Sequence, residues 1–267
     1  MQRQPAVAGQ FYPHSSDQLR RDLAGYIPDM IARNRAIGII APHAGYLYSG
    51  AIAGKVYASV EIPQSVLILG PNHRGAGAGA ALYPDGSWQT PLGEVPVNSR
   101  LNRLLLEKVP YLPSDPVAHE YEHSLEVQVP FLQVLRPDAT ISALCLGHGD
   151  YAAVRALGEG IAEALRTYGE PVLMVASSDM THYESAASAR LKDEVALQRV
   201  IEFDPEGLLQ VCRRERITMC GVVPAAVMLV AASLLGGSRA ELIAYGTSGD
   251  VTGDNRQVVG YAGVSVL

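Results

Sequence analysis

The stretch Ile37-Gly38-Ile39-Ile40-Ala41 leads into Pro42-His43, and the stretch Val66-Leu67-Ile68-Leu69 leads into Gly70-Pro71-Asn72-His73. Short apolar runs bounded by glycine and proline are typical of strands that are buried on both faces of a sheet. In open α/β sheets, ligands bind beyond the carboxyl ends of the strands. The two stretches therefore predict a buried sheet that places His43 and His73 at the edge where ligands bind.

Two further apolar runs are also followed by a histidine. Residues 172–176 lead to His182, and residues 141–146 lead to His148. Helical segments alternate with these runs, which is typical of a parallel sheet with helices on both faces. We therefore predict an α/β fold with a mainly parallel central sheet flanked by helices, formed as one domain over residues 1–267.

The composition of the chain excludes some classes of protein and some kinds of binding partner. Hydrophobic residues make up 48% of the 267 residues and charged residues 18%, which argues against disorder and for a sizeable core. The net charge of −6, without a basic cluster, argues against nucleic acid as a partner. The most apolar stretch, 221–235, is too short to span a bilayer comfortably, and no apolar signal segment follows Met1. We expect a cytoplasmic protein with no membrane partner.

Metal binding is the function that the strand-end histidines indicate most sharply. Neutral imidazole is the commonest side-chain ligand for transition metals, and two imidazoles at adjacent strand ends can reach one ion. His43 and His73 are the candidate pair. His148 lies beside Gly149-Asp150 at a predicted helix start, where a solvated loop is an equally good interpretation.

Cys220 is the candidate third ligand. Three cysteines are too few, and odd in number, for a disulfide framework, and Cys145 and Cys212 fit buried hydrophobic positions. Cys220 precedes the predicted helix 221–235, whose N-terminus lowers the pKa of a thiol and favours the thiolate that metals bind. An inert buried cysteine explains this position equally well.

The segment His119-Glu120-Tyr121-Glu122-His123-Ser124-Leu125-Glu126 is dense in titratable groups. If residues 123–132 are helical, His123 and Glu126 share a face, and Glu126 can support His123 or a metal-binding histidine beside the ion. A capping box around Ser124 is the alternative. The sequence assigns no role to His119.

Asp179 and His182 form a candidate pair of orienting carboxylate and general base. With Cys220 they also resemble a Cys–His–Asp hydrolase set. That reading leaves His43 and His73 without a role. The sequence contains neither a Walker-A pattern nor a GxGxxG fingerprint after a strand, which argues against a nucleotide-binding enzyme.

Six short motifs, in order along nearly the whole chain, resemble the Memo family, whose bacterial members are called AmmeMemoRadiSam system protein B. The motifs are Ala6-Val7-Ala8-Gly9-Gln10-Phe11-Tyr12-Pro13, Ala41-Pro42-His43-Ala44-Gly45-Tyr46-Leu47-Tyr48-Ser49-Gly50, Leu69-Gly70-Pro71-Asn72-His73, Glu122-His123-Ser124-Leu125-Glu126, Ser177-Ser178-Asp179-Met180-Thr181-His182 and Cys220-Gly221.

The resemblance implies a fold similar to the LigB-type class III extradiol dioxygenases, which are non-haem Fe(II) enzymes that cleave catechol rings. It implies that His43 and His73 are metal ligands and that His182 is the acid/base histidine, with Asp179 beside it. Cys220 falls where the dioxygenases have a glutamate ligand. A thiolate there suits copper or zinc as well as Fe(II), and it separates this chain from the ring-cleaving enzymes.

The resemblance also bears on the ligand and the partners. Eukaryotic family members are described as cell-motility mediators that bind phosphotyrosine peptides in this pocket, which here would be shaped by Phe11, Tyr46 and Tyr48. The bacterial name implies radical-SAM and AMMECR-type partner proteins. Two functions follow: a metal-dependent redox enzyme acting on a small molecule, or a binding protein that uses the pocket for a phosphorylated or acidic peptide or small molecule.

Overall fold

The computed structural model describes residues 1–29 and 33–267. The strands are β1 (Gln2–Arg3), β2 (Gly38–Ala41), β3 (Ser65–Pro71), β4 (Ala80–Leu82), β5 (Ser87–Thr90), β6 (Gly93–Pro96), β7 (Thr140–Leu146), β8 (Val172–Ser177), β9 (His182–Glu184), β10 (Ala240–Thr247) and β11 (Val258–Val266). The helices are α1 (Ser16–Tyr26), α2 (Tyr46–Ala58), α3 (Ser99–Lys108), α4 (Val129–Leu135), α5 (Tyr151–Tyr168), α6 (Ala186–Ile201), α7 (Pro205–Arg214), α8 (Val222–Leu234) and α9 (Gly249–Thr252). Two 3₁₀ turns cover Val117–His119 and Glu126–Gln128.

Most strands form one sheet in the order β10-β11-β2-β8-β3-β7-β4, and β9 pairs with β11. The four strands β2, β8, β3 and β7 at its centre are mutually parallel. The flanking pairs β10–β11, β11–β2 and β7–β4 are antiparallel. The predicted α/β class, with a central sheet flanked by helices, is confirmed, and the antiparallel edges make the sheet a mixed one.

Neighbouring side chains of each central strand point into two different hydrophobic clusters. Ile40 and Leu67 belong to a cluster that α3, α5, α7 and α8 complete. Ile39 and Ile68 belong to a second cluster, completed by α1, α2 and α4. Because successive side chains alternate across a strand, the unbroken apolar runs are what a sheet covered on both faces requires.

One segment has structure that the sequence analysis did not indicate, and another differs from its expectation. Residues 80–96 supply the short edge strand β4 and, with β1, a small sheet in the order β1-β5-β6. Residues 123–132 are not one helix: a turn leads into the 3₁₀ segment Glu126–Gln128 and then α4. Pro130 lies in the first turn of α4, where its missing N–H leaves no helical hydrogen bond unmade.

The parallel order brings the strand-end histidines to one edge. His43 follows β2, His182 follows β8, His73 follows β3 and His148 follows β7, and these four strands are neighbours in that order. Among the helices that the structure describes, none has both the length and the apolar character needed to cross a membrane.

Candidate metal centre

Three imidazoles converge at this edge of the sheet. One ring nitrogen each from His43, His73 and His123 lies within 4.8 Å of the others. The ring centroids are 5.1 Å apart for His43 and His73, 5.4 Å for His43 and His123, and 4.6 Å for His73 and His123. Nitrogens bound at about 2.0–2.1 Å to one tetrahedral ion lie about 3.4 Å apart, so each of the three nitrogens needs to move towards their common centre by about 0.8 Å at most. The three side chains can therefore bind one ion.

Ser177 fixes the tautomer of His43. The Ser177 hydroxyl donates its one proton to the Ser124 carbonyl at 2.6 Å, and it accepts from the Gln128 amide at 2.8 Å. Its contact with Nδ1 of His43, at 2.9 Å, must therefore be one in which Nδ1 donates. Nε2 of His43 is left with the lone pair that a metal ion needs.

Glu122 fixes the tautomer of His73 in the same way. Its buried carboxylate accepts from the His73 backbone N–H at 2.7 Å and contacts Nδ1 of His73 at 2.9 Å. Burial would raise the pKa of Glu122, but hydrogen bonds from His73 and the Ser124 backbone hold it at about 2. An ionised carboxylate only accepts, so Nδ1 of His73 carries the proton and Nε2 is free.

His123 lies beside this carboxylate and stacks on His73. Nδ1 of His123 is 3.5 Å from Glu122, and its ring plane is 17° from that of His73. Burial lowers the pKa of His123 to about 4 and lowers that of His43 well below its ordinary value, and the neighbouring imidazoles lower both further. Both rings are neutral at pH 7, which is the form that binds metal.

Cys220 borders the imidazoles. Its Sγ lies 3.1 Å from Nε2 of His43 and accepts from the Asp179 backbone N–H at 3.2 Å. The next residue, Gly221, lies so close to β8 that an added Cβ would be 2.3 Å from the Ser177 carbonyl oxygen. Glycine there lets the start of α8 bring Cys220 against His43. The helix start was expected to lower the pKa of this thiol, but burial and the Asp179 carboxylate raise it in the metal-free protein.

His182 is oriented by Thr218. The His182 backbone N–H donates to Thr218 Oγ1 at 2.7 Å, and Nδ1 lies 3.0 Å from the Thr218 carbonyl oxygen. A carbonyl only accepts, so Nδ1 carries the proton and Nε2 can accept one. Asp179, predicted to orient His182, instead accepts from the backbone N–H groups of His43 and Ala44 at 2.7 and 3.3 Å. Burial raises the pKa of Asp179 to about 7, although these two hydrogen bonds lower it.

A family model described as "Memo-like protein" matches residues 3–265. The chain belongs to the Memo family. MEMO1 family proteins of Methanopyrus kandleri and Aquifex aeolicus are 39% and 42% identical to it, and each alignment covers 99% of this chain and at least 98% of the relative. A crystal structure of an uncharacterized Escherichia coli K12 protein has a similar fold, with a TM-score of 0.54. It shares 14% identity and covers 86% of this chain and 99% of its own, which supports the fold alone.

The predicted pocket residues of this Memo-family chain lie at different depths. The Phe11 ring packs 4.6 Å from the His123 ring. Tyr46 is buried and donates to the Val127 carbonyl at 2.6 Å, so it is a core residue beneath the site. Tyr48 is 39% exposed. Of the three, Phe11 is the one in ring contact with a histidine of the trio.

Glu126 anchors the N-terminal segment of this Memo-family chain. Its buried carboxylate accepts from Arg3 Nη1 at 2.6 Å and from the Tyr12 hydroxyl at 2.6 Å. It also accepts from the backbone N–H groups of Ala6 and Val7. Among the described residues, no histidine donates a hydrogen bond to it. Glu126 therefore holds the segment that carries Phe11 and does not support a histidine by a hydrogen bond.

The sequence interpretation did not single out Glu122, Ser177 and Thr218. Glu122 lies in the segment recognised as dense in titratable groups, but spacing alone cannot tell it from Glu126. Ser177 acts through its hydroxyl, and Thr218 acts through its hydroxyl and its carbonyl, contacts that leave no pattern in the sequence. Of the histidines without an assigned role, His119 is buried with Nε2 3.0 Å from the Ala81 carbonyl, and His148 is exposed.

Proposed function

We propose that this chain is a metal-dependent oxidoreductase that holds Fe(II) through His43, His73 and Cys220. The observation that carries the proposal is that the imidazoles converge. Ser177 and Glu122 contact Nδ1 of His43 and of His73, and this leaves the Nε2 atom of each ring free for a metal ion. Imidazole and thiolate suit iron, copper and zinc, whereas magnesium and calcium take oxygen ligands. Bound iron supplies Lewis-acid and one-electron redox chemistry at this edge of the sheet.

The protein's own groups then have distinct tasks. Nε2 of His182 accepts a proton, because Thr218 keeps the proton of this ring on Nδ1. Asp179 holds the backbone of the loop that carries His43. Phe11 packs against the ring of His123. The proposed roles of His43, His73 and His182 resemble those in the class III extradiol dioxygenases, whereas Cys220 takes the place of a glutamate ligand.

Metal content tests the proposal. We expect about one equivalent of iron in protein purified without oxygen and none in the double variant His43→Ala/His73→Ala. The matched control is His148→Ala, which removes an exposed strand-end histidine and should leave the metal content unchanged. Equal metal in the wild type and the double variant would contradict the proposal.

The third ligand is tested separately, because His123 lies within reach of the same ion. Cobalt-substituted protein should show a thiolate-to-cobalt charge-transfer band that Cys220→Ser removes and His123→Gln retains. A band that is absent from the wild type would assign the third position to His123 instead.

Measurements of oxygen uptake distinguish the proposed enzyme from the alternative function, a protein that only binds a ligand. With iron-loaded protein and a panel of catechols and small reductants, we expect uptake that requires both the metal and His182. Loss of uptake in His182→Gln, with metal content unchanged, would support a proton-transfer role for His182. Tight binding of an acidic ligand, with uptake that does not depend on His182, would favour the binding protein.

A further inference from the structure

A cavity of about 1050 Å³ opens beside His73 and Cys220 and extends away from them. Its walls are the loop after β7, the helix α7 and the segment 217–223 that leads into α8. The volume is at the upper end of what small-molecule sites occupy. A substrate of the metal centre therefore has room for a body much larger than the reacting group.

One face of α7 forms a wall of this cavity. Glu206, Leu209, Gln210 and Arg213 line it and are spaced three, four and seven residues from the first, so they share one side of the helix. Seven residues of helix extend about 10 Å. Leu208, on the opposite side of α7, is fully buried in the core. The cavity side of α7 thus combines an apolar side chain with polar ones.

Another wall is apolar. It is formed by Leu146 at the end of β7, by Ile217 in the segment that leads into α8, and by Val222 and Val223 at the start of α8. Apolar area that a ligand removes from water contributes roughly 25 cal/mol per Å² before the costs of association. This wall therefore favours a hydrocarbon or aromatic body over a sugar or a peptide backbone.

Arg213 is the one cation of the lining without an acidic partner among residues 1–29 and 33–267. The other arginine, Arg214, pairs with Glu215 at 2.7 Å. The two carboxylates of the lining already have partners: Asp150 caps α5 by accepting from the Ala153 backbone N–H, and Glu206 accepts from Gln210. One free guanidinium near two carboxylates favours a singly charged anion over a doubly charged one.

We propose that this cavity binds an amphipathic small molecule with an apolar body and a carboxylate. The carboxylate pairs with Arg213, the body lies along Leu209 and the apolar wall, and the reacting end reaches His73 and Cys220. Naming this molecule the substrate rests on the proposed function. The binding of an amphipathic anion does not rest on it.

Two fluorescent probes that differ in charge test whether the cavity favours an anion. The first is 8-anilinonaphthalene-1-sulfonate, which carries one negative charge, and the second is its uncharged analogue N-phenyl-1-naphthylamine. We expect one site for each probe. Arg213→Gln should lower the affinity for the anionic probe about fivefold, because a solvent-exposed charge pair is lost. The affinity for the neutral probe should not change. Arg213→Lys should restore much of the anionic affinity.

Two further variants locate the site and control for net charge. Leu209→Gln should weaken both probes, because it replaces the apolar side chain of the α7 wall. Arg155→Gln removes an exposed helical arginine outside the cavity and should change neither. Circular dichroism and a cooperative unfolding transition establish that each variant is folded.

Three results would overturn the inference. The first is an unchanged affinity for the anionic probe in Arg213→Gln. The second is an equal loss of affinity for both probes in that variant. The third is an unchanged affinity for both probes in Leu209→Gln. The variant His43→Ala separates the inference from the proposed function, because it removes a proposed metal ligand that does not line the cavity, and it should still bind the anionic probe. If the metal-content experiment contradicts the metal centre, the probe-binding result is unaffected. If the probes do not bind as expected, the proposed metal centre is unaffected.

Discussion

Glu122 shows how one side chain can set the properties of two others. Its carboxylate orients His73 and also lies 3.5 Å from Nδ1 of His123. We expect Glu122→Gln to lower zinc or cobalt affinity about 10- to 100-fold, the usual cost of losing a group that orients a ligating histidine. An amide has nearly the same shape, so the loss would come from charge and hydrogen bonding.

Competition with a chromophoric chelator measures this affinity. Glu120→Gln is the matched control, because Glu120 is exposed two residues earlier in the same segment. It should bind metal like the wild type. An unchanged affinity in Glu122→Gln, with the fold intact, would show that His73 does not need this carboxylate.

At the scale of elements, the N-terminal segment is tied to the site by a buried ion pair. Arg3 pairs with Glu126, donates to the carbonyls of His119 and Glu122, and lies over the Trp88 ring. Arg3→Met leaves a buried carboxylate without its cation, which typically costs about 3–5 kcal/mol in the free energy of unfolding. Urea denaturation measures this loss.

A double-variant cycle isolates the pair itself. Arg3→Met/Glu126→Gln should be less destabilised than the sum of the single variants, because the second change removes the unpaired charge. The exposed Arg35–Glu61 pair is the control, and Arg35→Met should cost less than about 1 kcal/mol. Strict additivity at Arg3 and Glu126 would contradict a coupled pair.

The same scale shows what the sequence can and cannot predict. The strands β2, β3, β7 and β8 were predictable, because a run such as Val66–Leu69 is apolar on both faces and bounded by Gly70. The small sheet was not, because the two-residue strand β1 carries no periodicity and finds β5 more than 80 residues away. Glu122 and Glu126 have similar sequence surroundings, and only the tertiary contacts separate their roles.

For the whole molecule, buried neutral histidines make stability depend on pH. His119 is fully buried, and its Nε2 donates to a carbonyl, while no group among the described residues pairs with Nδ1. Burial lowers the pKa of His119 to about 4, against about 6.5 in an unfolded chain. Between these values the unfolded chain binds the proton more readily, so the stabilisation present above pH 6.5 is lost as the pH falls towards 4.

Unfolding free energies of metal-free protein between pH 6.5 and 4.5 test this dependence. His119→Gln should reduce the slope by up to about 1.4 kcal/mol per pH unit, the value for one proton. His14→Gln, at an exposed position, should leave the slope at the wild-type value. An unchanged slope in His119→Gln would mean that other groups account for the acid sensitivity.

The position of β11 has a consequence for the order of events during synthesis. Val264, Ser265 and Val266 pair with β2, the strand that carries His43, and Val259 pairs with His182. A nascent chain therefore has all its imidazoles before it has the strand that closes the sheet beside two of them. Pairing between such distant segments forms slowly and exposes an open strand edge in the meantime. Metal capture at the proposed site should accordingly be a late event, which follows the pairing of β11 with β2 rather than guiding the fold.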